Sequence, residues 1–312
     1  MGPGKKYNDI MHIQQLRKVT AIGGGHGLGR LMSTLSFLRH RLIGVVATTD
    51  NGGATGLLRQ AHKCIAWGDI RNCLSQLSNQ PLAAEVLSYR FNSDSSLHGH
   101  NFGNLLLYTL DELSARPLDG IQLLSRLLKV DCRVLPMSEA PTDLIAATNE
   151  QFDCHGEISV DDLPRMPTRL QLSPQVKATP EVLRHILHSD LIIIGPGSFL
   201  TSVMPPLLVG EITRAIAETP AKVIFIDNLL AEYSPAGQLS LDDKLQWMSN
   251  QLGLNPVDLI ISNKPQGYHG MLPIITGVEA EPGMPHRHQP DSLLQALEKA
   301  LAQLSKLKRT AV

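Results

Sequence analysis

The sequence is short of aromatic residues, of charge excess and of long apolar runs. Only 4% of its 312 residues are aromatic, which argues against a stacking platform for single-stranded nucleic acid. The 28 Lys and Arg are balanced by 29 Asp and Glu, a formal net charge of −1. A nucleic-acid polymer needs a basic excess to displace its counterions, so it is not expected as a partner. No run approaches the ~20 apolar residues of a membrane span. The start, Met1 to Lys6, carries no apolar signal core, and Lys6 breaks the myristoylation pattern. A cytoplasmic protein without a membrane partner is therefore expected. Cys64, Cys73, Cys132 and Cys154 form no C-x-x-C pair. They read as reduced, small apolar residues, not as a thiolate metal site.

Apolar content is ample at 43%, and with near-zero net charge it excludes disorder. The apolar residues fall into alternating strand and helix patterns. Val19 to Ile22 reads as a strand, Gly27 to Leu38 as a helix with leucines three or four apart, and Leu42 to Ala47 as a second strand. This βαβ unit favours a parallel sheet. Residues 68–130 read as mostly helical. Residues 131–172 change character: Cys132 to Leu135, Leu144 to Ala147, Gly156 to Val160 and Arg169 to Leu172 are short strand candidates separated by Pro and Asp. Strands then return at Asp190 to Ile194, Val223 to Ile226 and Leu259 to Ser262, with helices at Val182 to His188, Leu207 to Glu218 and Leu241 to Leu252. Leu293, Leu297, Leu301 and Leu304 line one face of a last helix. The expectation is an α/β fold. A doubly wound, mainly parallel sheet occupies residues 18–308, with a small β-rich insertion at about 131–172. A loose polar extension covers 1–17 and a tail 309–312.

Ligands of such sheets sit beyond the carboxyl ends of the strands, and the glycines gather there. Gly23, Gly24, Gly25, His26, Gly27, Leu28 and Gly29 follow the first strand. Their spacing misses the dinucleotide fingerprint, because its third glycine would fall on Leu28, which disfavours a nicotinamide oxidoreductase. The amides of such a loop can cradle phosphate at a helix start, or the loop can be a tight turn. Asp50 and Asn51 end the second strand and lead into Gly52, Gly53, Thr55, Gly56 and Arg59. An acid there can take a ribose or sugar hydroxyl, ligate Mg2+ or serve as a base, or it can cap a turn. Arg59 offers a charge for phosphate. Asp69, Arg71 and Asn72 lie at a helix start, and Asn101 and Asn104 share a helix face. Gly195, Pro196, Gly197, Ser198, Thr201 and Ser202 form a second candidate cradle, and Asp227 and Asn228 end a later strand. Two anion cradles at one sheet edge suit a diphosphate better than a single phosphate. His98 and His100 would diverge on a turn, and His286-Arg287-His288 reads as an exposed loop, so no metal site is expected.

These clusters, in this order, resemble the gluconeogenesis-factor family of bacteria, a branch of the CofD/YvcK-like superfamily related to 2-phospho-L-lactate transferase. The resemblance spans about residues 18 to 305. It implies a Rossmann-like fold that binds a nucleotide or nucleotide-sugar, with the glycine loops and their neighbours as the site. The transferase branch moves a phospholactyl group from a guanosine diphosphate donor to a deazaflavin. The other branch is linked to growth and cell shape on gluconeogenic carbon sources and to UDP-sugar binding. Four departures favour that second branch, one of them Asp227-Asn228-Leu229-Leu230 after the strand ending at Ile226. Asn51 stands where relatives often carry a second acid, Ala54-Thr55-Gly56 replaces Ser-Ser-Gly, and His26 replaces Thr. The expected protein is a nucleotide-sugar-binding regulator, with Mg2+ accompanying the nucleotide. A transferase with Asp50 as metal ligand or base is the alternative. Related folds often self-associate, which leaves a homo-oligomer open.

Overall fold

A computed structural model describes residues 12–307, apart from Ser93, Glu150, Gln151 and Gln266. Strand β1 (Val19–Gly23) leads into helix α1 (Gly25–Thr34), and β2 (Leu42–Val46) follows. Five helices come next: α2 (Gly53–Ala61), α3 (Gly68–Leu77), α4 (Pro81–Ser88), α5 (Phe102–Leu113) and α6 (Pro117–Leu127). Strands β3 (Arg133–Pro136), β4 (Asp143–Ala147) and β5 (Phe152–His155) precede the short α7 (Glu157–Asp161) and β6 (Arg169–Ser173). Then come α8 (Pro180–Leu187), β7 (Leu191–Ile194), α9 (Met204–Leu208), α10 (Gly210–Glu218) and β8 (Lys222–Ile226). The chain closes with α11 (Leu241–Leu252), β9 (Leu259–Ile261), β10 (Ile274–Ile275), the hairpin β11 (Ala280–Glu281) and β12 (Met284–His288), and α12 (Pro290–Leu307).

Seven parallel strands form one sheet in the order β10-β9-β8-β7-β1-β2-β3. The chain moves outward from β1 to β3, then returns to the other side of β1 and moves outward again. Strand order therefore reverses between β1 and β7. Side chains along β7 alternate between two cores. Leu191 and Ile193 join the layer of α1, α3 and α12, while Ile192 and Ile194 join the layer of α8 to α11. A strand buried on both faces must read as a continuous apolar run, as this one does.

A separate antiparallel sheet, β5-β4-β6, packs on the second layer. The residues expected as the insertion divide differently from that reading. Cys132 to Leu135 mostly belong to β3, which pairs with β2 in the main sheet. Gly156 to Val160 is a turn and helix, not a strand. Gly156 turns the chain at φ +88°, and the amide of Val160 donates to the carbonyl of Gly156. Ile158 and Val160, two apart in the sequence, mimic the spacing of one strand face, but in the helix Ile158 is exposed and Val160 buried.

Four further expectations need correction. The helix expected from Gly27 to Leu38 starts at Gly25 and stops at Thr34, where the Thr34 hydroxyl donates to the Arg30 carbonyl and a 3-10 turn follows. The helix expected from Leu207 breaks at Val209 and restarts at Gly210. Within the stretch expected as a loose extension, Ile13 and Leu16 are buried in the core, and the Glu298 carboxylate accepts from the amide of Ile13. His286 to His288 is strand, and His288 is buried rather than exposed. The 309–312 tail lies outside the described residues. Among those described, no helix is long and apolar enough to cross a membrane.

Candidate functional site

Ligands of open α/β sheets bind where strand order reverses, here beyond β1 and β7. The two glycine loops meet at that point. A Cβ on Gly27 would stand 2.5 Å from the Pro196 carbonyl oxygen and 3.3 Å from the Gly197 Cα. The expected pair of cradles is thus a single packed structure, and Gly27 is required by its close approach. Asn228 fastens the second loop: its Nδ2 donates to the Gly197 carbonyl at 2.9 Å, and its Oδ1 accepts from the Gly197 amide at 3.2 Å.

The donors of both loops are largely committed to carboxylates of the chain itself. Asp69 lies against Gly24 and Gly25 and accepts from the Gly25 amide and the Asn72 side chain. Ser198 and Thr201 hydroxyls donate to Asp161 at 3.3 and 3.0 Å. The Phe199 amide donates to Glu232 at 3.0 Å, while the other oxygen of Glu232 is buried without a partner. Asp50 takes its turn-capping role through Oδ1, which accepts from Gly52 at 2.7 Å. Its Oδ2 faces Gly68, where a Cβ would come within 2.7 Å.

The outcome is an acidic wall of Asp50, Asp69, Glu157 and Asp161. Burial first, then the Asp50 charge, pushes the Asp69 carboxyl up to about 7. Burial raises Asp161 to about 6. Burial, with Asp50, Asp69 and Asp161 as neighbours, raises Glu157 well above the usual range. Repulsion among like charges favours the protonated forms. A basic arc adjoins this wall through Arg71, which lies within electrostatic reach of Asp69 and Asp50. Arg71 and Arg287 lie close enough to His26 to lower its pKa after burial has done so, and Arg90 acts likewise on Arg71. Arg71 is oriented by Asn104, whose Oδ1 accepts from Arg71 Nε at 3.1 Å. Asn104 Nδ2 in turn donates to the buried Thr55 hydroxyl at 3.3 Å.

The chain as a whole has known relatives. The family model described as 2-phospho-L-lactate transferase CofD matches residues 19–275. The chain belongs to the CofD family. A protein named "Putative gluconeogenesis factor" from Yersinia pestis is 47% identical over 298 residues, covering 94% of this chain and 97% of that one. A protein of the same name from Vibrio cholerae is 45% identical over 297 residues, with 93% and 99% covered. The crystal structure of a UPF0052-family protein from Bacillus halodurans superposes with a TM-score of 0.81 at 28% identity, covering 90% of this chain and 98% of that one.

Within this CofD-family fold several expected site residues have structural duties. Arg59 donates to the carbonyls of Thr49, Asp50, Cys64 and Thr142 and pairs with Asp143 at 2.9 Å. It braces the β2 loop against the second sheet, and its fork is not free for phosphate. Asn101 is the N-cap of α5, accepting from the Asn104 amide. Asn51 grips α7: its Oδ1 accepts from the Ile158 amide at 3.2 Å, and its side chain fills the space a Cβ on Gly156 would need. Gly56 packs on the Asn51 carbonyl, and Ser202 packs between Gly24 and Gly197. Asn51 thus holds the helix that delivers Glu157 and Asp161. Asn51→Ala should cost about 1 kcal/mol by denaturant unfolding and speed amide exchange in 157–161 selectively. Unchanged exchange there would refute the clasp.

The sequence reading missed Glu157 as a site acid, Asp161, Glu232, Arg90 and Arg287. A signal existed only for Glu157, which follows a glycine inside an otherwise apolar alternation. The others reach the cleft from remote segments and have no local pattern.

Proposed function

We propose that the cleft at the β1–β7 switch point binds a nucleotide sugar of the UDP-sugar type. In that role the protein would regulate growth and cell shape when carbon enters through gluconeogenesis. The observation that carries this reading is the apposition of a glycine-built α1 N-terminus with a basic arc of Arg71, Arg90 and Arg287. The helix N-terminus and the guanidinium forks would receive the diphosphate. Asp50 and Asp69 would accept from sugar hydroxyls across the cleft. Asn104 and Thr55 act through Arg71, by fixing its orientation.

Among the described residues, no three ligating side chains are grouped to hold a metal by themselves. Mg2+ would therefore enter with the diphosphate, whose oxygens and waters complete its shell beside Asp50 and Asp69. Titration calorimetry with UDP-sugars and with guanosine diphosphate tests the reading. Arg71→Gln should weaken the binding about tenfold, since one charge-assisted bond is lost. Absence of heat with all of these ligands at millimolar concentration would refute it.

One observation favours a second reading, group transfer. Asp69 is held near neutrality beside Asp50 and Glu157, the condition a general base requires. In such a transfer an acceptor hydroxyl would give its proton to the carboxylate. Its oxygen would bond to phosphorus as the bond to the leaving nucleotide broke. Release of free nucleotide, lost in Asp69→Asn, would select this reading. Intact ligand after long incubation would select the regulator.

A further inference from the structure

The opposite edge of the sheet carries a second cluster that the strand-end site does not use. A cavity of about 350 Å³ there is lined by Arg17, Lys18, His40, Arg41, His185 and the stems of Leu16 and Ile43. Leu16, Arg17 and Lys18 precede β1, and Arg41 precedes β2. A five-residue strand separates this edge from the glycine loops, about 16 Å.

The charge here is one-sided in a chain whose total is −1. Asp190 pairs with Arg17 at 3.4 Å and accepts from the amides of Arg17 and Lys18. Arg41 commits Nη1 to the carbonyls of Gln14 and Leu16, which leaves the rest of its fork open. Among the described residues, the side chains of Lys18 and His40 have no hydrogen-bond or ion-pair partner. Arg133 adds a fourth cation, donating to His185 Nε2 at 2.8 Å. With Nε2 accepting, the ring proton sits on Nδ1. That Nδ1 is buried and has no partner. A buried donor without an acceptor is costly and rare. Burial and the cations Arg133, Lys18 and Arg184 hold this ring neutral, with its pKa down at about 4, against a smaller opposing effect of Glu181.

We propose that this cavity is a second anion site, distinct from the strand-end cleft, that takes a small phosphate-bearing molecule. The size is at the lower end for small-molecule pockets, which suits a phosphate or a short phosphoester. Lysine supplies a point charge and the arginine forks supply bidentate donors to phosphate oxygens. The bound anion would also offset the mutual repulsion of Arg17, Lys18, Arg41 and Arg133.

The test follows the His185 ring resonances by NMR, assigned through their loss in His185→Gln. The probes are inorganic pyrophosphate and glycerol 3-phosphate, each to about 10 mM. The expected result is a saturable shift with at least one probe; the tighter of the two says whether the site prefers an inorganic or an organic phosphate. Arg17→Ser/Lys18→Ser should weaken that binding at least tenfold. Arg17 is 89% exposed and Lys18 makes no side-chain bond, so the double variant leaves the core intact. Arg71→Gln, in the other cleft, should leave the His185 shift unchanged. No shift with either probe overturns the proposal. So does a shift undiminished in the double variant, or one abolished by Arg71→Gln.

Discussion

Lys244→Ala is expected to destabilise the protein by about 3–5 kcal/mol, the range for breaking a buried ion pair from one side. Lys244 Nζ lies 2.7 Å from Asp227 Oδ1, with side chains only 7% and 4% exposed. Removing the ammonium leaves the Asp227 carboxylate with the Ser262 hydroxyl, at 3.1 Å, as its remaining side-chain donor. Truncation also removes the cation 5.7 Å above the Phe199 ring. The double variant Asp227→Asn/Lys244→Met should recover most of the loss, because it removes both charges and keeps the volume. Denaturant midpoints of the three proteins measure this. A loss below about 1 kcal/mol in the single variant would show that the pair is not desolvated as described. The effect should reach the cleft as well. Asp227 directly follows β8, and its carbonyl oxygen lies 3.2 Å from Nε2 of His288, the residue after Arg287. The buried pair thus underlies the strand that brings Arg287 to the basic arc.

Asp69→Asn is expected to stabilise the ligand-free protein by about 2–4 kcal/mol at pH 8 and to do almost nothing near pH 4. The folded protein holds the Asp69 proton until about 7, whereas the unfolded chain releases it near 3.8. Between those values the folded state binds more protons, so stability falls as pH rises through the window and is level above it. Asparagine removes that slope by imitating the protonated carboxyl. Glu157 and Asp161, also raised, leave a residual slope of the same sign in the variant. Thermal melts from pH 4 to 8 read the difference directly. A variant no more stable than the parent at pH 8 would mean that Asp69 is ionised at little cost. The same variant should weaken any ligand that donates to this carboxylate, the trade expected where a strained group is retained for function.

The parallel sheet was legible because strands buried on both faces must be apolar throughout. Leu191 to Ile194 satisfies that outright, and Val19 to Gly23 departs from it only at Thr20, whose buried hydroxyl is paired with that of Ser189 at 2.7 Å. The glycine loops were legible because close backbone approach tolerates no other residue, as Gly27 against Pro196 illustrates. The partition of polar residues into ligand-facing and structural ones was not. Asn51 follows Asp50 directly and Arg59 sits on the helix after it, and nothing local distinguishes a guanidinium aimed at phosphate from one aimed at backbone carbonyls. The short helix α7 was hidden for a related reason. Five residues are too few to separate a helical period from an alternating one.

Local residue order by itself therefore determined the α/β class, the strand ends where a ligand would sit and the family to which the chain belongs. Those features depend on burial and backbone conformation, which leave a periodic or compositional trace. Tertiary structure alone decided the electrostatics of the cleft. It brought Glu157 and Asp161 from the second sheet, Arg90 from the far end of α4 and Arg287 from the terminal hairpin to face Asp50, Asp69 and His26. Coulomb interactions depend on distance in space, which sequence separation does not encode, so a chain with near-zero net charge can hold an acidic wall and a basic arc within one cleft.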